Sequence, residues 1–204
     1  LTGSATARLK REDGVWQVDE TAPLLGSADL NVGSIGWLGS VASPVVRTDG
    51  QLKAVFSLSG TPAKPVGTGQ INGENLLIEI PTEGLRLSGG TLDARFDAET
   101  LDINTLRFVS ESRIRPRDSR IPYAELTRTP GTLSAQGSLK LADGEGGLDI
   151  EADRLPLFQR PDRGLAISGK GRMDTRWDAP RIDATVTADG GYLEFARTPA
   201  PSLS

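Results

Sequence analysis

The stretch Gly67-Thr-Gly69-Gln-Ile-Asn-Gly73 comes nearest to a phosphate-cradling loop. Such a loop needs backbone N–H groups converging at the start of a helix. Here the spacing is G-x-G-x-x-x-G and no helical pattern follows, so turn glycines are expected instead. Asp143-Gly-Glu145-Gly-Gly-Leu-Asp149, with Glu151 and Asp153, gathers the oxygen ligands that calcium favours. It has neither EF-hand spacing nor the period of a calcium β-roll, so a solvated hairpin is expected. Arg113, Arg115, Arg117, Arg120 and Arg128 carry guanidiniums suited to phosphate. Glu111, Asp118 and Glu125 dilute that charge, which favours a solvated loop over contact with lipid phosphates or an acidic partner. The chain holds no His and no Cys. That excludes disulfides, Cys/His zinc sites, Cys nucleophiles and His-based triads. A carboxylate pair could in principle hydrolyse glycosides, yet nothing selects two of the many acids. No enzyme activity, metal or cofactor is expected.

Composition points the same way. Among 204 residues, 24 are Gly and 13 are Pro, an excess that argues for many turns and few long helices. The net charge of −4 disfavours electrostatic binding to nucleic acid. No apolar run is long enough for a transmembrane helix. The opening Leu1-Thr2-Gly3 is what a section cut from a longer protein would show.

The elements that would position any site are strands. Leu76, Ile78 and Ile80 alternate with Leu77, Glu79 and Pro81; Leu92, Ala94 and Phe96 alternate with Asp93, Arg95 and Asp97. The same period runs through Leu101 and Ile103, Leu139 and Leu141, Leu148 and Ile150, Leu165 and Ile167, and Ile182 to Val186. Period two means strands with one apolar face. Asp49-Gly50, Asn72-Gly73, Gly89-Gly90, Asp143-Gly144, Gly146-Gly147 and Asp189-Gly190-Gly191 supply positive φ for hairpins. A strand and turn about every 10 residues predicts roughly 16 to 20 strands. Glycines confine any helix to one short turn near Ile35–Val41. Residues 109–131 read as a mobile or inserted Pro-rich connection, and residues 154–164 as a second irregular loop. Ser59-Gly60 and Ser168-Gly169 open similar patterns, a weak internal repeat. Trp16, Trp37 and Trp177 are expected as buried anchors, with lipid or partner contact as the alternative.

So wide a sheet with one apolar face must pair with a second sheet, close, or fold over itself. Aromatic residues are only 5%, which favours a trough lined by aliphatics over a thick sandwich core. The expected fold is all-β: one elongated, curled sheet forming an open hydrophobic groove, with residues 1–204 a single section. Its lining would be Leu76, Ile78, Ile80, Leu85, Leu87, Leu92, Phe96, Leu101, Ile103, Leu139, Leu141, Leu148, Ile150, Leu165, Ile167, Ile182 and Val186. Charged substitution at Ile78 or Ile150 is expected to leave the fold largely intact.

Gly50-Gln-Leu-Lys-Ala-Val-Phe-Ser-Leu-Ser-Gly60-Thr-Pro, Pro65-Val-Gly-Thr-Gly-Gln-Ile71 and Ile78-Glu-Ile-Pro81-Thr-Glu-Gly84-Leu-Arg-Leu-Ser-Gly-Gly90 resemble the TamB family. Gly14-Val-Trp16, Ile35-Gly-Trp37-Leu, Arg160-Pro-Asp-Arg163 and Leu165-Ala-Ile-Ser-Gly169 are similar to flanking segments of that family. The resemblance spans most of the chain except residues 109–131. It implies a periplasmic section of an inner-membrane-anchored protein in Gram-negative bacteria, with a TamA-like outer-membrane barrel as partner. It also implies two roles: shielding phospholipid acyl chains between membranes, and supporting outer-membrane protein assembly. The alternatives are a chaperone-like module pairing with unfolded outer-membrane β-strands by β-augmentation, or a structural β-solenoid stalk.

Overall fold

The computed structural model describes residues 2–12, 14–111, 116 and 128–194. The described residues are nearly all strand, with one short helix, so the sheet must make the fold. In chain order come β1 (Thr2–Thr6), β2 (Leu9–Glu12), β3 (Val15–Val18), β4 (Leu25–Val32), α1 (Gly36–Ala42), β5 (Arg47–Thr61) and β6 (Lys64–Ile80). There follow β7 (Leu85–Phe96), β8 (Thr100–Ser110), β9 (Gly131–Lys140), β10 (Gly146–Arg160), β11 (Arg163–Asp174) and β12 (Arg181–Leu193). They form a ten-stranded antiparallel sheet, β1-β4-β5-β6-β7-β8-β9-β10-β11-β12, and a separate hairpin β2-β3. The sheet does not close, so β1 and β12 are its two edges. From β4 onward it is a simple meander, as short turns between alternating strands dictate.

Strands are fewer and longer than the turn spacing predicts. Asp49-Gly50, Asn72-Gly73 and Gly89-Gly90 lie inside strands β5, β6 and β7, at or beside shifts of register. Those shifts fall between Asp49 and Gln51, Gly73 and Leu76, Ser88 and Thr91, and Ile103 and Leu106. Gly50, Asn75 and Gly89 adopt positive φ there. A bulge uses the same backbone conformation as a hairpin turn, but it bends a strand where a turn ends one. Residues 154–164 are likewise strand apart from a tight turn at Pro161 and Asp162: they belong to β10 and β11, with bulges after Ala152 and Pro156 and Arg154 at φ 45°. The internal repeat does not map onto equivalent positions, because Gly60 ends β5 at a hairpin while Gly169 sits mid-strand between Ala152 and Val186. Residues 112–115 and 117–127, with Arg113, Arg115, Arg117 and Arg120, lie outside the described residues.

The bends curl the sheet. Strands β7 and β10 are three places apart, about 14 Å in a flat sheet, yet the turn before β7 touches the end of β10. The Gln159 amide donates to the Glu83 carbonyl (3.0 Å), the Arg160 guanidinium to the Thr82 carbonyl (2.6 Å), and Arg163 pairs with Glu83 (3.0 Å). The Tyr192 hydroxyl donates to the Arg160 carbonyl and the Glu194 amide to the Asp162 carbonyl (2.7 Å), so the end of β12 joins this clasp. Beneath it lies the core: Ile35, Leu76, Leu87, Phe108 and Leu155, with Leu38, Ile78, Leu85, Leu133 and Ile167 packed around them. The three tryptophans do not belong to it. Trp16, Trp37 and Trp177 are 65%, 59% and 62% exposed, because Trp16 and Trp177 sit on the β2-β3 hairpin and the β11–β12 turn and Trp37 on the side of α1 opposite Leu38, which packs on the core.

Two substitutions test the clasp. Gly84 has φ 73°, and a Cβ there would collide with the Gln159 carbonyl oxygen; Gly89 has φ 56° and open space around it. Gly89→Ala should cost only the left-handed penalty of about 1–2 kcal/mol. Gly84→Ala should cost distinctly more, read as a lower urea midpoint at unchanged slope. A third test concerns the β7–β8 turn. The Asp97 carboxyl is held below its ordinary value of 3.8 by the amides of Glu99 and Thr100, then by the Thr100 hydroxyl. The stabilisation from this depressed group is present above the unfolded value and is lost as pH falls through the folded one. Asp97→Asn should therefore flatten the fall in stability on acidification below about pH 4, measured by urea melts across that range.

Candidate functional site: the apolar inner face

The register assigns every strand a face. On the inner side a continuous cross-strand row runs Leu30, Ala54, Ile71, Ala94, Ile103, Gly137, Leu148, Met173, Ile182, one residue from each strand from β4 to β12. No side chain in it carries a hydrogen-bonding group. At about 4.8 Å per strand the row is roughly 38 Å long measured along the sheet. The neighbouring row, Val32, Leu52, Gly73, Leu92, Leu106, Ala135, Ile150, Gly171, Ala184, is equally apolar.

All the expected lining residues fall on this face except Leu141, which lies in the β9–β10 turn and is exposed. They do not form one uniform trough. Toward the α1 end Leu76 and Leu87 are 5% exposed, inside the core, with Ile78 and Leu85 against it. That half of the inner face is filled by the protein's own side chains. An acid at Ile78 would therefore enter packed core and damage the fold, contrary to the sequence expectation. Away from the core, Phe96, Leu101, Ile103, Ile150 and Leu165 are half-buried, and Ile182 and Val186 on edge strand β12 are exposed.

Alternation in the sequence also held residues that the expected lining omits. Phe56 and Leu58 on β5, with Phe96, Ala5, Gly26 and Ala28, line an apolar recess of about 510 Å³ at the β1 side of the sheet. Phe56 and Phe96 meet with ring centroids 5.4 Å apart at 53°. Leu52, Ala54, Phe56 and Leu58 carry the same period-two signal as Leu76 to Ile80 and could have been found by it.

The outer face is polar. Arg172 pairs with Asp149 (2.8 Å), Lys170 with Glu151 (3.1 Å), Lys140 with Glu145 (2.6 Å), and Asn104 donates to Asp93 (2.8 Å). Glu145 draws the Lys140 ammonium above its ordinary value through a hydrogen bond and its charge. The carboxylates considered for calcium are thus engaged. Asp143 accepts the Glu145 amide (2.8 Å), while Asp149 and Glu151 face cations across the sheet. The described residues hold no cluster of three possible metal ligands. No described helix is long and apolar enough to cross a membrane. Gly67, Gly69 and Gly73 are strand residues of β6 on the inner face, not a loop at a helix start.

The two halves should respond differently to truncation. Phe108→Ala, at 3% exposure, should cost about 3–5 kcal/mol. Ile182→Ala, at 61% exposure, should stay within about 0.5 kcal/mol. Urea melts of the two variants provide the comparison.

No protein-family model, curated protein or solved structure matches this chain.

Proposed function

We propose that the chain is a section of a TamB-like protein of the Gram-negative periplasm, and that its inner face shields phospholipid acyl chains in transit between the two membranes. The observation that carries this reading is the unbroken apolar row across an unclosed sheet. A 16-carbon chain costs on the order of 12 kcal/mol to expose to water, at about 0.8 kcal/mol per CH₂. A surface that carries it must be apolar along the whole route, and the row is. The residues assigned to the track are those of the unfilled half: Phe56, Leu58, Phe96, Leu101, Ile103 and Ile150. The surface binds and shields; no step of chemistry is assigned to it. In a longer protein a TamA-like barrel would receive what the groove carries.

A second reading, strand addition to an unfolded outer-membrane protein, is favoured by β12. Its side chains from Arg181 to Asp189 are exposed and it forms one edge of the sheet, the arrangement β-augmentation requires.

Mass spectrometry of organic extracts separates the two. Protein purified without detergent should carry phospholipid, and Leu58→Asp/Ile150→Asp, folded by circular dichroism, should lose most of it. Parent protein free of lipid and indistinguishable from the variant would overturn the acyl-chain reading and move strand capture at β12 ahead.

A further inference from the structure

Helix α1 presents apolar side chains to solvent from a rigid mount. Between Asp29 and Arg47 the chain carries no charged residue. Ile35 is buried in the core and Leu38 packs against it. The Thr48 hydroxyl donates to the Ile35 carbonyl (2.8 Å) and accepts the Gly39 amide (2.8 Å), while the Ile35 amide donates to the Gly50 carbonyl (3.1 Å). These contacts fix the helix and turn its other side outward, leaving Trp37, Val41 and Val45 at 59%, 76% and 47% exposure.

We propose that this tip docks the chain on a phospholipid bilayer, inserting Trp37 and Val41 at the boundary between head groups and hydrocarbon. The patch offers on the order of 300 Å² of apolar surface, well short of the roughly 800 Å² per partner that a specific protein interface takes. It has no charge to steer a partner or fix its register. A bilayer needs neither area nor shape complementarity, and the amphipathic indole favours that boundary. With a net charge of −4 the chain gains nothing from anionic head groups. Docking is therefore apolar, strongest on neutral lipid and insensitive to salt. The tip is separate from the inner face, so the proposal stands or falls independently of the acyl-chain reading.

The test uses this chain with Trp16→Phe and Trp177→Phe, so that Trp37 is the sole indole, and vesicles of phosphatidylcholine. Its fluorescence should shift to the blue and be quenched by brominated acyl chains, undiminished by added salt. Val41→Asp, at a site too exposed to disturb the fold, should weaken partitioning about tenfold. Ile150→Asp should dock as the parent does. Absence of quenching, equal docking by Val41→Asp, or binding confined to anionic vesicles and abolished by salt would each overturn the proposal. So would self-association relieved by Val41→Asp, which would assign the tip to a second copy.

Discussion

An antiparallel meander puts alternate side chains of every strand on the same face, and here that face is apolar from β4 to β12, with no second sheet among the described residues to cover it. Everything else in the fold responds to that constraint. A flat sheet would leave the face in water. Closing the sheet would bury all of it, but β1 and β12 do not pair. The chain takes a partial solution. Bulges bend β5 to β8 and β10 near mid-strand, and the turn at residues 81–84 reaches the end of β10. The curl brings Leu76, Leu87, Phe108 and Leu155 together, and Ile35 fills the space between them. Half of the apolar face becomes a core and supplies stability. The rest stays partly open, with Leu139, Leu148 and Ala94 buried and Phe96, Leu101, Ile103 and Ile150 half-buried.

The polar face adds little energy but settles which face is which. Apart from Arg86 with Glu79, ion pairs such as Arg172 with Asp149 and Lys170 with Glu151 join side chains that are half exposed or more, where net contributions are within about 1 kcal/mol. Their weight lies in register. Slipping one strand by a residue would put these charges onto the apolar row and the aliphatics into water. The long sheet therefore tolerates bulges, which restore parity after each bend, better than it would tolerate slippage.

That logic also explains how far the sequence could be read. The period-two pattern of Leu92 to Phe96 or Leu148 to Ala152 reports the face directly, and the all-β curled sheet follows from it. Strand number was not legible, because Gly50, Gly73 and Gly89 signal positive φ or close approach without saying whether the chain reverses or only bends. The true reversals at Thr61–Lys64 and Ile80–Leu85 rest on Pro62, Pro81 and Gly84, chemistry no stronger than that of the bulges. Nor could periodicity divide the inner face. Leu87 and Ile103 look alike in sequence; one is core and the other half-exposed only because the clasp joins elements some 80 residues apart. The tryptophans were misplaced for a related reason. A large side chain is normally buried, but burial depends on which way it faces, and Trp37 sits on the side of α1 turned away from the core while Trp16 and Trp177 sit on the β2-β3 hairpin and the β11–β12 turn, away from the core.

A face divided this way suits the proposed transit better than a uniform trough would. A fully open apolar sheet of this width would have little to hold its curvature and would gain by collapsing on itself. A fully filled one would have no room for a guest. The core behind Leu76 and Phe108 fixes the curvature, so the open part of the inner face keeps its spacing whether or not it is covered. Along the first row, from β4 to β10, large and small side chains alternate from strand to strand: Leu30 is followed by Ala54, Ile71 by Ala94, Ile103 by Gly137. Without hydrogen bonds or charges, each contact is a dispersion contact of about 0.1–0.2 kcal/mol per atom pair. Moving a hydrocarbon chain by two strands then exchanges similar contacts for similar contacts. The total shielding is large while the barrier between neighbouring positions stays small, which is the condition for holding a guest out of water and still letting it move.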